Sequence, residues 1–279
     1  MSIHDLHMHP DRVASEAIDV TKGVVASDTR RSSSSDKMLS VLDLFSPERA
    51  EWTVEEASAF LGQSESTVYR YFRSLADFGL ILSIRPGRYL LGPGIVHYDR
   101  QLRTSDPLVL AAEPAIEEIA RDFLVPGMVF ISRIFRDHVM SIHEHRLGVG
   151  SLPEGTFARG RLAPLFSGPP GMAILASLEA RAARALHRKI ETGDTDWLAI
   201  KRQMRAIRAS GYAISFDKPD PGMVYISVPL KHDDGGVAGS LSVGLRGVDH
   251  EAHQIDRMRS ILIENADRLG QRIRRVAEP

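Results

Sequence analysis

Between Ser64 and Arg73 the chain alternates two kinds of side chain: Val68, Tyr71, Phe72 and, just beyond, Leu75 against Ser64, Ser66, Thr67, Tyr69, Arg70 and Arg73. At 3.6 residues per turn the apolar set shares one side of a helix, and the hydroxyl, phenol and guanidinium groups take the opposite and flanking faces. Guanidinium groups donate in pairs to guanine edges or to phosphates, and hydroxyls position a nucleic-acid backbone. Arg85 and Arg88, on either side of Pro86-Gly87, supply a second cationic point. An amphipathic helix with a merely solvated face has the same pattern, so the neighbouring elements must decide. Further along, Gly168-Pro169-Pro170-Gly171-Met172 forms a compact turn into a helix, whose N-terminal N–H groups could meet a carboxylate; simple helix initiation with proline at its start explains the same residues. His143-Glu144-His145 puts two imidazoles on one face of a strand, and His4, His7 and His9 cluster loosely. Neither set completes a ligand sphere by spacing, even with Asp217 as a supplement, so no metal and no cofactor is expected.

Composition narrows the classes. A chain of 279 residues suits two domains. It has no cysteine, which removes disulfides, thiolate-zinc sites and thiol nucleophiles, and fits a reducing compartment. No secretion signal or membrane-spanning run is visible, and a cytoplasmic location is the expectation. The formal net charge of −1 excludes nucleic-acid binding through bulk positive charge. Local clustering remains: Arg70, Arg73, Arg85, Arg88, Arg100 and Arg103 stand against Glu65, Asp77 and Asp99 in one stretch.

The elements that would position these residues can be read from spacing. Residues 1–35 end in four serines and lack an apolar period, as in a flexible tail. Met38, Val41, Leu42 and Phe45 mark a first helix that stops before Pro47. Thr53-Val54-Glu55-Glu56 has the capping-box spacing for a second. Gly62-Gln63 closes that helix and Ser64 caps the third, the order of a helix-turn-helix. After Gly79, Leu80 to Leu91 reads as a hairpin around Pro86-Gly87, the wing of a winged helix-turn-helix domain over residues 36–92. Residues 93–106 read as a linker helix. Residues 107–279 follow as an α/β unit on an antiparallel sheet, with strands at 128–135, 138–145, 212–216, 224–231 and 237–245 and helices at 110–123, 171–178, 180–190 and 196–209. A last helix carries Ile255, Met258, Leu262, Leu269 and Ile273 along one side. The fold class is α+β, a winged helix-turn-helix joined to an α/β domain.

Three segments resemble one family. Leu75-Ala76-Asp77-Phe78-Gly79-Leu80 is similar to the end of a recognition helix, Ser167 to Ala176 to a glycine-rich turn entering a helix, and Gly211-Tyr212 through Asp217, Gly222 and Val228-Pro229-Leu230 to Gly239-Ser240-Leu241-Ser242-Val243 to a sensor sheet. In order and spacing they resemble IclR-family transcriptional regulators from Lys37 to Ala277. The resemblance implies double-stranded operator DNA of pseudo-palindromic form as partner, a homodimer or homotetramer, and modulation by a small organic effector. It implies an effector pocket at Pro169, Pro170, Gly171 and Met172 with Asp217, Tyr225, Ser240 and Ser242. Two departures bear on the ligand. Pro169-Pro170 removes two backbone donors, and Tyr225 replaces a smaller side chain. They point away from a glyoxylate- or pyruvate-like acid, toward a larger aromatic or amide-bearing ligand or toward an empty, non-responsive pocket.

Two other functions stay open from the residues alone. One is an enzyme using Asp217, His143 or Ser242, although no nucleophile elbow, phosphate loop or zinc-protease helix is present. The other is a ligand-binding module whose helix-turn-helix contacts protein.

Overall fold

The structure is a computed structural model that describes residues 33–122, 126–148, 154–190, 196–232, 235–246 and 252–277. The tail over residues 1–32 and its histidines lie outside the described residues. The chain divides into two compact units, one closing at Asp106 and the other running from Pro107.

In the first unit, α1 (Ser34–Leu39) passes into a 3-10 turn, Ser40–Leu44, where a continuous helix was expected. Strand β1 (Trp52–Thr53), which periodicity did not reveal, leads into α2 (Val54–Leu61). The expected capping box is formed: Glu56 N–H donates to Thr53 Oγ1 at 3.1 Å, and Thr53 N–H donates to Glu56 Oε2 at 2.9 Å. That backbone donor holds the Glu56 carboxyl below its usual range. Gly62 ends the helix at φ 62°, a left-handed position that glycine adopts without a Cβ penalty. Helix α3 (Glu65–Asp77), hairpin β2 (Ile81–Arg85) with β3 (Arg88–Leu91), and α4 (Gly94–Ser105) complete the unit. The short sheet runs β1-β3-β2. Val41, Trp52, Ala57, Val68, Phe72, Leu75 and Ile81 form the core beneath it. Gly87 at φ 74° makes the tight turn between the wing strands.

The second unit is a six-stranded antiparallel sheet in the order β6-β5-β4-β9-β8-β7. Its strands are β4 (Gly127–Phe135), β5 (His138–Leu147), β6 (Leu162–Pro164), β7 (Ala213–Phe216), β8 (Met223–Lys231) and β9 (Val237–Arg246). Helix α5 (Pro107–Asp122) precedes the sheet, α6 (Pro169–Ser177), α7 (Ala180–Ile190) and α8 (Trp197–Ser210) intervene, and α9 (Ala252–Ala277) follows it. The three-residue β6 escaped the sequence reading, being too short to show a period. It and the four-residue β7 are the sheet edges, and short edges limit the unpaired backbone offered to another chain.

Both faces of the sheet are covered, and the two-residue period of a strand sorts its side chains between them. Val129 and Ile131, Val224 and Ile226, and Leu241 and Val243 join α5 and α9 in one core. Met128 and Phe130, and Met223 and Tyr225, join α6, α7 and α8 in the other. Helix α6 shows the demand for close approach: all residues from Pro169 to Ala176 are buried. A Cβ at Gly171 would collide with the carbonyl oxygen of Leu165. Gly171→Ala should therefore cost about 1–3 kcal/mol of stability as overpacking, read as a lower urea midpoint at unchanged slope; an unchanged midpoint would show that the loop before α6 yields freely.

Candidate DNA interface and sensor layer

Helix α3 turns its apolar residues inward, with Val68 and Phe72 fully buried and Tyr71 and Leu75 nearly so. Ser64, Ser66, Tyr69, Arg70 and Arg73 are exposed and Thr67 is half-buried. Ser64 occupies the N-cap position, but its hydroxyl does not satisfy a helix N–H as the sequence reading supposed. It lies 3.2 Å from Ser66 Oγ and 2.9 Å from Thr67 Oγ1, leaving three hydroxyls grouped at the start of the helix. Arg70 and Arg73 have no ion-pair partner among the described residues, so both guanidinium groups are available to a ligand.

The wing arginines are held differently. Arg85 donates through one terminal nitrogen to both carboxylate oxygens of Glu51 at 3.1 Å, and Arg88 Nη1 lies 3.8 Å from the same carboxylate. Glu51 was read only as part of an acidic stretch; periodicity within one element cannot show that β1 and the wing meet. The guanidinium of Arg49 lies 3.5 Å from the ring centre of Trp52 and reaches Glu56 at 3.1 Å, closing a charged rim around the short sheet. Exposed pairs of this kind add little stability. Their larger effect is to lower the positive charge that the wing presents.

In the second unit the residues assigned to a pocket do not all converge. Pro169, Pro170, Gly171, Met172, Tyr225, Ser240 and Ser242 lie buried in the layer between α6 and the sheet. Asp217 does not join them: it is exposed, at φ 55°, and its Oδ1 accepts from Gly222 N–H at 2.9 Å, closing the loop from β7 to β8. Asp220, three residues on, points inward instead. It accepts the Tyr225 hydroxyl at 2.6 Å and the Thr156 hydroxyl at 2.8 Å, with Thr156 N–H also donating to it. Burial, then the neighbouring carboxylate, raises the Tyr225 phenol well above its usual range, so it remains a donor.

Helix α6 offers little to an anion at its start. Pro169 and Pro170 lack N–H groups, and Met172 N–H is used by Gly168 O at 3.1 Å. Hydroxyls are the polar feature of the layer. Ser227 and Ser242 share a hydrogen bond of 2.7 Å, whereas the buried Oγ atoms of Ser132 and Ser240 have no partner. Ser132 was not singled out in the sequence because nothing local distinguishes it; β4 brings it opposite Ser240 only when the sheet forms. His143 and His145 stand on β5, His143 Nε2 lying 3.7 Å from Glu113 and Glu144 accepting Arg159 N–H at 2.8 Å. Among the described residues no group of three or more metal-ligating side chains occurs.

Comparison with known proteins follows the same division. Residues 34–82 match the IclR helix-turn-helix domain. Over 213 residues the chain is 24% identical to the HTH-type transcriptional regulator KipR of Bacillus subtilis, covering 74% of this chain and 83% of that protein. The solved IclR transcriptional regulator of Alicyclobacillus acidocaldarius superposes with a TM-score of 0.70 at 21% identity, over 86% of this chain and 98% of that one. An IclR homolog from Microbacterium hydrocarbonoxydans, solved in complex with 4-hydroxybenzoate, superposes with a TM-score of 0.67 at 17% identity, over 87% and 100%. A winged helix-turn-helix and a two-faced antiparallel sheet are the parts of the fold that this chain shares with those solved regulators. The helix-turn-helix is of the IclR type, and the chain as a whole is similar to transcriptional regulators of that fold. The relatives it matches are named as regulators, and the structures it superposes on are regulators too.

A wing that meets phosphate through Arg85 gives Glu51 a measurable effect. Glu51→Gln should tighten DNA binding several-fold and steepen the slope of log K against log salt by up to about one, because one more cation is released to neutralise phosphate. Fluorescence anisotropy across a salt series checks it, with Arg85→Ala as the opposing control; weaker binding by Glu51→Gln would make Glu51 a support for the wing.

Proposed function

We propose that this protein binds a pseudo-palindromic operator as a dimer or a pair of dimers in the cytoplasm, reading bases through α3 and phosphates through the β2–β3 wing. A small organic metabolite bound in the layer between α6 and the sheet modulates it. The observation that carries the reading is the outward side of α3, where Arg70 and Arg73 stand exposed and, among the described residues, without an ion-pair partner, beside Tyr69 and the hydroxyls of Ser64, Ser66 and Thr67. A recognition helix presents this arrangement to the major groove. Gating by population shift follows from the tandem order of reader, α4 and sensor: a ligand that favours one arrangement of the subunits changes the separation of the two reading heads.

Support for pairing comes from α4, which has no buried residue and exposes Ile95, Val96, Tyr98 and Leu102. Apolar side chains repeated along one helix are covered in a dimer by the same surface of a second copy. Val96→Asp should shift sedimentation toward the monomer and lower operator affinity together. Sedimentation unchanged by the charge would place the subunit contact elsewhere.

The direct test is capture of genomic fragments by the full-length protein at near-physiological salt. Recovery of a palindromic site, lost with Arg70→Ala/Arg73→Ala, is the expected result. Arg70→Ala alone should cost about 1–3 kcal/mol and relax base preference. Arg88→Ala should weaken all sequences alike. A capture set identical to that of the double variant would overturn the assignment of α3.

A further inference from the structure

The layer between α6 and the sheet combines a ring that comes from no strand or helix with hydroxyls that bond to nothing. Phe157 belongs to the turn before β6, yet it is buried. Its ring lies nearly parallel to Phe130, with centres 5.8 Å apart, and meets Tyr225 edge-on at 4.9 Å. Gly168 makes room for it: a Cβ there would fall 2.5 Å from Phe157 Cζ. The turn is fastened to the sheet side by Thr156, whose N–H and hydroxyl donate to Asp220, itself tied to Tyr225. The seat beside Phe130 and Tyr225 is thus a place for one aromatic ring, filled by a residue on a loop.

Along β9 the next residue on this face beyond Ser242 is Ser240. Ser242 pairs with Phe130 and Ser240 with Ser132. Two residues along a strand span about 7 Å, the reach of a single ring carrying one substituent. One such step from Phe130 and Ser242, the Oγ atoms of Ser132 and Ser240 have no partner among the described residues, on residues 1% and 0% exposed. Helix α6, PPGMAILAS, brings no charged side chain to the layer, and among the described residues the charged group hydrogen-bonded to the aromatic cluster, Asp220, is an acid. A carboxylate here would be stripped of water without a cation to receive it. A carboxamide of the same shape is neutral and can both donate to and accept from serine hydroxyls.

We propose that Phe157 is a built-in occupant of the sensor, and that the ligand is a monocyclic aromatic amide whose ring replaces that of Phe157 while its amide engages Ser132 and Ser240. The inference rests on the reading of this layer as the effector site. Binding then releases the turn from Asp220, which gives the sensor a mechanical output: the loop is expelled when ligand is present.

Benzamide and benzoate, the same ring with neutral and charged substituents, are the probes, tested on the full-length protein by calorimetry and amide hydrogen exchange. Benzamide should bind about tenfold or more tighter than benzoate at neutral pH. Phe157→Ala should bind benzamide more tightly than the parent, because no occupant has to leave, and Ser132→Ala/Ser240→Ala should lose most of the affinity. Exchange at Thr156 should rise on binding while β8 and β9 are unaffected or protected. Phe157→Leu serves in the same role should the alanine variant fail to fold. A folded Phe157 variant that binds no benzamide, benzoate binding equal to benzamide, or protection of Thr156 on binding would each overturn the proposal. Binding of a non-aromatic metabolite in this layer, lost in the serine double variant, would overturn it too while leaving the effector site in place.

Discussion

Burial of the six-stranded sheet on both faces is the constraint from which the second unit follows. A strand sends successive side chains to opposite sides, so β4, β8 and β9 must supply two cores at once. One is aliphatic and closed by α5 and α9. The other is covered by α6, buried from Pro169 to Ala176, whose backbone at Gly171 lies close against the loop at Leu165. Two of the rings in this layer are accommodated where glycine stands opposite. Gly168 faces Phe157, and Gly244 faces Tyr225.

The same constraint explains why polar groups in this layer carry meaning. A hydroxyl buried without a partner is costly, and an interior that could have been wholly apolar instead holds Ser132, Ser227, Ser240 and Ser242 on adjacent strands. Two of them satisfy each other. The other two, Ser132 and Ser240, have no partner among the described residues. The layer differs in this from the aliphatic face, where α5 and α9 close over Val, Leu and Ile alone at the strand centres.

In the first unit the governing interactions are local. A capping box, a left-handed glycine and an amphipathic period suffice to place α2 and α3, and the small core beneath them only fixes their angle. The charge on its surface is distributed by tertiary contacts. Arg70 and Arg73 are left open on α3, while the wing arginines share Glu51 from the strand beside them. The reader therefore presents unpaired cations on its helix and partly neutralised ones on its wing, although the chain as a whole is nearly neutral.

The sequence by itself determined what short-range physics encodes. Helix periods, the Thr53–Glu56 box, the Pro86-Gly87 turn and the alternation in the long strands are fixed by neighbours within a few residues, and they were legible to within one to a few residues at most ends. Strands β1 and β6 were not, because two or three residues carry no period and pair only when a partner strand arrives. The pocket assignment was legible in part: Ser240 and Ser242 share a face of β9 by alternation alone, whereas Tyr225 on β8 joins that face only through the register of the sheet. Which acid turned inward was not: Asp217 and Asp220 lie on one loop, and the turn closed by Gly222 sends the first outward and leaves the second to Tyr225 and Thr156. Ser132, Phe157 and Glu51 likewise meet their neighbours Ser240, Tyr225 and Arg85 only across long stretches of chain, 34 residues for Glu51 and Arg85. Contacts of that range depend on how whole elements pack, and tertiary structure alone decides them.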